Sequence, residues 1–294
     1  MVKRGLEDMN VDDVRPAEPR LTGGWDDFLS SDEFAGSVCL VTGAAQGIGE
    51  TIARTLAERG GRVVLADLNE VKADDRAEEF RAAGLEVIAL AFDVSDTVAV
   101  DTAFAELEGE WGPVDVLVNN AGVGTVSQSE NLSDEEWDLH VDVMLSGTFK
   151  VSRRAAPLML ERGAGAIVNL CSISGFGGHP QRAAYNSAKG GIRLLTEVLA
   201  VEWAARGVRV NAIAPAVTRT AMLTEILEAS EGQIVLDDYE ARTPLGRIGE
   251  TQEMADAVAF LASRRASYIT GQILAVDGGW LASDGFPTRE GAQG

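Results

Sequence analysis

The sequence predicts a single α/β domain built on a doubly wound parallel sheet. Short apolar, β-branched runs alternate with Ala-, Glu- and Leu-rich segments along most of the chain, and glycines cluster where the first apolar run ends. No proline-rich or serine-rich linker in the middle divides the 294 residues into two units.

The strands read, in order, "SVCLVTG", "GRVVLAD", "LEVIALAFD", "VDVLVNNAG", "GAIVNLCS", "VRVNAIAP" and "GQILAVDGG". Their alternation with helical patterns implies βαβ units around a sheet covered on both faces. Residues from about 133 to 162 and from about 183 to 206 are expected to form two long helices, each followed by glycine and a strand. Three regions follow: an acidic, flexible N-terminal extension over 1–36, the folded domain over 37–282, and a polar tail over 283–294. Trp25, Phe28 and Phe34 leave open that the extension docks on its own domain or on a neighbouring subunit.

Composition excludes several classes. With 46% hydrophobic and 24% charged residues the chain reads as an ordinary soluble protein. No apolar run approaches the roughly 18 residues of a membrane span. The first 20 residues mix both charge signs without an apolar core, so they do not read as a secretory leader, and a cytoplasmic location is expected. Cys39 and Cys171 lie in two separate strands; a disulfide is not expected, and a nucleophilic Cys171 is the lesser reading. A formal charge of -21 with no basic stripe argues against nucleic acid and is read as serving solubility or a salty habitat. No metal is called for.

In "VCLVTGAAQGIGETIARTLAERGGRVVLAD" a strand ends at Thr42, then Gly43, Gly47 and Gly49 lead into a helix. Glycines there permit a tight turn and let backbone N–H groups at the helix N-terminus approach a pyrophosphate, which the helix dipole also favours. The next strand ends in Asp67, twenty residues after Gly47, where a carboxylate meets ribose hydroxyls. Its charge opposes a 2′-phosphate, and Gln46, Leu68 and Asn69 supply no cation, so the expected cofactor is NAD rather than NADP.

The glycine spacing is TGxxxGxG, and with it the chain resembles the short-chain dehydrogenase/reductase family. The resemblance runs over about 37–281 through "TGAAQGIG", "FDVS", "NNAG", Ser172 with "YNSAK", "NAIAP" and "VDGG", all in order. It implies a Rossmann fold with Gly43, Gln46, Gly47, Ile48 and Gly49 about the diphosphate, and Asp67 and Leu68 at the ribose. Asp93 and Val94 would meet the adenine, while Asn119, Asn120, Ala121 and Gly122 would support the adenosine side. Pro215, Thr218 and Thr220 would hold the carboxamide and diphosphate, although Ala216 stands where the family usually has a less restricted glycine.

Ser172 lies thirteen residues before Tyr185, and Lys189 four after it. Four-residue spacing in a helix puts Tyr185 and Lys189 on one face. Ser172 follows a strand at the carboxyl edge of the sheet, where α/β ligands bind. A free tyrosine keeps its proton to about pH 10, but a neighbouring ammonium and a cationic nicotinamide both favour phenolate. Tyr185 then reads as general base for a secondary alcohol or general acid for a ketone, with Ser172 bonding the reacting oxygen and Tyr185 and Lys189 also touching the cofactor. Lysine is scarce, occurring only at Lys3, Lys72, Lys150 and Lys189, so a lysine at this offset points to a wanted compact charge.

One family feature is missing. Where the resemblance implies a fourth catalytic residue, an asparagine that helps hold a proton-relay water, "VMLSG" has Met144. Either the Met144 carbonyl holds that water or His140 serves, and the carbonyl is the favoured reading. Phe176, His179 and Gln181 are expected to line the substrate cleft with Ser172 and Tyr185. Residues 221–240 fall where the family carries a mobile lid; its acidity admits a cationic substrate but reads more simply as solvated surface. The family resemblance also implies a homotetramer. The rival readings are an NAD-binding regulator or scaffold with impaired chemistry, and a dehydratase or epimerase using the cofactor transiently.

Overall fold

Apolar side chains leave β1 (Val38–Thr42) on both of its faces, and the computed structural model, which describes residues 32–229 and 236–283, gives each face its own helical cover. β2 (Arg62–Asp67), β3 (Val87–Ala91), β4 (Val116–Asn119), β5 (Gly165–Leu170), β6 (Val208–Pro215) and β7 (Ile273–Val276) complete one parallel sheet in the order β3-β2-β1-β4-β5-β6-β7. Each predicted strand is present. The order reverses between β1 and β4, so the crevice outside their carboxyl ends is the ligand position of a doubly wound sheet.

The helices are α1 (Gly47–Glu58), α2 (Glu70–Ala82), α3 (Thr97–Glu110), α4 (Asp134–His140), α5 (Gly147–Arg162), α6 (Ala183–Trp203), α7 (Ala221–Ala229), α8 (Leu236–Arg242) and α9 (Thr251–Ala262). Cys39 and Val41 share one core with Ile52 and Leu56 of α1, Phe80 of α2, and Met254 and Val258 of α9. Val38 and Leu40 share the other with Phe104 and Leu107 of α3, Val151 and Met159 of α5, and Leu199 of α6. Each large side chain buried this way stabilises the fold by about 1.5–3 kcal/mol.

Helix starts follow cap chemistry: Asn69, Asp96 and Ser133 accept first-turn N–H groups of α2, α3 and α4, and Glu136 completes a capping box with Ser133. The long helix expected over 133–162 is one helical run containing a π-helical turn at Val141–Ser146, where the Gly147 N–H reaches back to the Asp142 carbonyl. Such turns widen a helix locally and concentrate at functional sites. The second long helix is α6, continued by a 3₁₀ turn at Ala204–Arg206.

The folded unit starts before residue 37. Phe34 is buried in the core of α1 and α9, its N–H donates to the Arg59 carbonyl (2.9 Å), and Glu33 pairs with Arg265 (2.8 Å) and Arg59 (3.5 Å). Trp25, Phe28 and the tail beyond Ser283 lie outside the described residues. Both cysteines are free and buried, and burial pushes both thiols above their ordinary range. The Cys171 thiol donates to the Lys189 carbonyl (3.4 Å), a structural contact that leaves no nucleophile. Among the described residues no helix is long and apolar enough to cross a membrane.

Candidate active site

The carboxyl ends of β1, β4, β5 and β6 open into one cleft of about 880 Å³. Two glycines shape its floor. Gly43 has φ +64°, and a side chain there would meet the Ala121 backbone at 2.9 Å. Gly47 has φ +62°, and its Cβ position faces only the Thr220 side chain, at 3.7 Å, so a ligand can approach bare backbone. Gly49 works differently: a Cβ would stand 2.1 Å from the Gly43 carbonyl, so this glycine packs α1 onto the turn and does not line the cleft.

The loops around the turn are tied to it. Asn120 donates its amide to the Thr42 (3.0 Å) and Gly43 (2.9 Å) carbonyls, and the Thr42 hydroxyl accepts the N–H groups of Asn120 and Ala121. Gln46, at the N-cap of α1, makes no side-chain cap, which leaves the helix N-terminus able to receive an anion at the cleft. The Asp67 carboxylate accepts the N–H of Ala45 and of Asn69, each at 3.0 Å, while Leu68 is exposed on the rim. Asp93 is fixed by the Ser95 N–H and hydroxyl, both at 2.7 Å, with Val94 beside it in the wall. An open-floored glycine turn, an uncapped helix N-terminus and an oriented carboxylate along one cleft fit a dinucleotide.

Besides Gly49, expected about the diphosphate, two expectations at this end need correction. Asn119 does not reach the cleft; it is buried and donates to Ser152 (2.9 Å) and Asn169 (2.8 Å), bracing β4 against α5 and β5. A cation does stand near the ribose end: Lys72, in the first turn of α2, brings its ammonium to 3.3 Å from the Gln46 amide oxygen.

At the other end Ser172 follows β5, starts the 3₁₀ turn Ile173–Gly175, and accepts the Ser174 N–H on its hydroxyl (3.1 Å). Tyr185 and Lys189 come from α6. The Lys189 ammonium donates to the Leu170 carbonyl at 2.6 Å and lies 5.7 Å from the Tyr185 ring centroid. It is 5% exposed and forms no ion pair among the described residues. Pro215, Thr218 and Thr220 close the opposite wall, the Thr218 hydroxyl donating to the Ala216 carbonyl (3.1 Å).

Met144 sits in the π-helical turn with its thioether buried beside Gly122, and its carbonyl accepts the Thr148 hydroxyl. His140 is spent elsewhere. Its Nδ1 bonds the Glu136 carbonyl (2.7 Å), which places the proton there and leaves Nε2 to accept the Thr125 N–H (3.3 Å). It anchors a loop and lies off the cleft.

On the substrate side His179 bonds the Ser174 hydroxyl (2.8 Å) and meets Trp280 edge-on at 6.4 Å; Trp280 in turn meets Tyr239 of α8 at 6.3 Å. Burial, then the charges of Arg182 and Arg242, hold His179 below the ordinary histidine value. Gln181 lines the cleft at φ 61°, the only left-handed non-glycine among the described residues, a strain of the kind that collects at functional sites. Phe176 fails as a lining residue: the turn after Ser172 carries it outward, where it is 46% exposed under the Arg193 guanidinium. The structure adds Arg182, Tyr239, Arg242 and Trp280 to the wall. No local pattern singles them out in the sequence, because the lid helix and the C-terminal turn meet β5 only through folding.

The chain as a whole is similar to known proteins. A family model described as enoyl-(acyl carrier protein) reductase matches residues 43–281. The chain is 42% identical over 257 residues to a galactitol 2-dehydrogenase (L-tagatose-forming) of Cereibacter sphaeroides, covering 86% of this chain and 98% of that one. It is 39% identical over 250 residues to the gluconate 5-dehydrogenase of Gluconobacter oxydans, covering 85% and 96%. The crystal structure of a gluconate 5-dehydrogenase from Burkholderia cenocepacia, in complex with NADP and tartrate, superposes with a TM-score of 0.81 at 35% identity over 86% of this chain and 98% of that chain. The chain belongs to the short-chain dehydrogenase/reductase family, oxidoreductases that work with a nicotinamide cofactor.

Proposed function

We propose that the protein is an NAD-dependent dehydrogenase that interconverts a secondary alcohol and its ketone. The observation that carries this reading is the buried Lys189 ammonium, held by one carbonyl and facing Tyr185 across 5.7 Å. When bound, the nicotinamide gives or takes the hydride. Tyr185 takes the hydroxyl proton of the alcohol or returns it to the ketone, Ser172 bonds the same oxygen, and Lys189 places a positive charge beside the tyrosine ring. Gly43, Gln46, Gly47, Ile48, Asn120, Ala121, Gly122, Pro215, Thr218 and Thr220 would hold the cofactor, with Asp93 and Val94 at the adenine.

Asp67 supports NAD over NADP, because its carboxylate is held by two backbone donors close to where a 2′-phosphate would lie. Lys72 works against that preference only weakly, being exposed and so screened by water and salt. Two of the relatives are named for polyhydroxylated substrates, gluconate and galactitol, and that class is proposed here too. A homotetramer fits the apolar side chains that α5 and α6 leave exposed, among them Phe149, Leu194, Val198 and Val201. The test is 340 nm absorbance with NAD or NADP and a panel of polyols, hydroxy acids and simple secondary alcohols. A protein that binds NAD but oxidises none of them, and reduces none of the matching ketones, overturns the proposal in favour of a regulator.

A further inference from the structure

The reactive end of the cleft reverses the charge of the protein around it. In a chain with a formal charge of -21, this end is lined by Lys189, Arg182 and Arg242 with His179 between them, against Asp142 and Asp238. The remaining acids of the cleft, Asp67 and Asp93, belong to the adenosine end.

Among the described residues Arg182 and Arg242 form no ion pair, whereas Arg54, Arg59, Arg62, Arg154, Arg162 and Arg265 all do. Arg182 gives one long bond to the Thr125 carbonyl (3.4 Å) and lies 5.7 Å from the Tyr185 ring centroid, directly beside the proposed base. Arg242 is on α8, one turn after Tyr239, and the Tyr239–Trp280 contact turns that face of the helix into the cleft. His179 senses both charges. Of the acidic residues in 221–240 that are described, Asp238 lines the cleft, one turn of α8 before Arg242.

We propose that the substrate of the dehydrogenase reaction is a hydroxy acid, whose carboxylate is held by the guanidinium groups of Arg182 and Arg242 while its hydroxyl lies at Tyr185 and Ser172. The proposal rests on the dehydrogenase reading and adds the charge of the substrate to it. Guanidinium groups suit this task, since their planar fork matches two carboxylate oxygens and the bond is charge-assisted.

The test compares substrates that differ only in the charged group: D-gluconate against D-glucitol, and 3-hydroxybutyrate against 2-butanol, in wild type, Arg242→Gln, Arg242→Lys and Arg182→Gln. The wild type is expected to favour the acid of the better pair by at least about 10-fold in kcat/KM, the scale of one charge-assisted bond. Arg242→Gln should raise KM for the acid about 10-fold or more with kcat within threefold, leave neutral alcohols within threefold, and be partly rescued in Arg242→Lys. Equal or better use of the neutral member of both pairs overturns the inference and leaves the dehydrogenase standing, as does a Gln variant that slows acid and neutral alcohol alike. If nothing is oxidised, the dehydrogenase reading falls by itself. Calorimetry with D-gluconate and NADH then decides: binding to wild type that weakens in Arg242→Gln supports an anion site, and absent or equal binding overturns it.

Discussion

The main-chain carbonyl of Met144 accepts the Thr148 hydroxyl at 2.6 Å where the π-helical turn joins α5. The favoured relay reading requires a water to share this carbonyl with the Thr148 hydroxyl in place of the missing asparagine side chain. Met144→Asn is therefore expected to change kcat by less than about tenfold, because a relay limits turnover only when proton escape is slower than hydride transfer or product release. The same change puts an amide in a fully buried apolar site and should lower stability by about 1–3 kcal/mol. Measuring kcat from pH 6 to 10 decides. A gain above about 10²-fold at neutral pH, shrinking as pH rises, would mean that proton transfer had been crippled in the natural protein.

Tyr185→Phe removes a hydroxyl and leaves the ring that Lys189 and Arg182 face. Cofactor affinity should stay within a few-fold while kcat drops by at least about 10²-fold, the low end for losing a general acid-base group. Normal turnover in this variant would remove Tyr185 from the chemistry.

Asp67 and Lys72 oppose one another at the ribose end. NAD should be preferred over NADP by at least about tenfold in kcat/KM, an advantage of roughly 1.4 kcal/mol. Asp67→Ser should erase most of the preference, and Lys72→Ala should widen it by removing the one nearby cation seen to contact the cleft lining, through Gln46. Equal use of both cofactors by the wild type defeats the assignment of Asp67.

Gly49→Ala tests the turn itself. Its Cβ would fall 2.1 Å from the Gly43 carbonyl and 2.4 Å from the Asn120 amide, and neither can retreat without undoing the glycine turn. A loss of about 1–3 kcal/mol or more in stability is expected together with weakened NAD binding, read by thermal denaturation and cofactor fluorescence. An unchanged dissociation constant would show that the turn does not set the cofactor position.

His179 makes stability depend on pH with a definite sign. Burial first, and the charges of Arg182 and Arg242 second, lower its proton affinity in the fold. The unfolded chain binds that proton below about pH 6.5, so the stabilisation is present above that value and is lost as pH falls through it towards the lower folded value. Between pH 8 and 5 the wild type should lose more thermal stability than His179→Gln. Parallel curves for the two proteins would mean that His179 charges freely in the fold.

Much of this was legible in the sequence because it is local. Strand and helix order follow from which residue types cluster and alternate along the chain; the glycine turn and Asp67 follow from strand–turn–helix punctuation, the Tyr185–Lys189 pair from one helical turn, and Ser172 joins them through the family resemblance. A turn of helix puts Lys189 beneath Tyr185 whatever surrounds them. Only the tertiary structure decided which residues complete the site. Phe176 is two residues from the cleft-lining Ser174 in sequence and yet outside the cleft, because the 3₁₀ turn carries it outward; Asn119 ends the right strand but is drawn into a buried bond network. Lys72, Arg182 and Arg242 enter from segments whose charges look like ordinary surface until the sheet order brings the ends of β1, β4, β5 and β6 together. Charge in a cleft is a property of long-range approach, and no period along the chain encodes it.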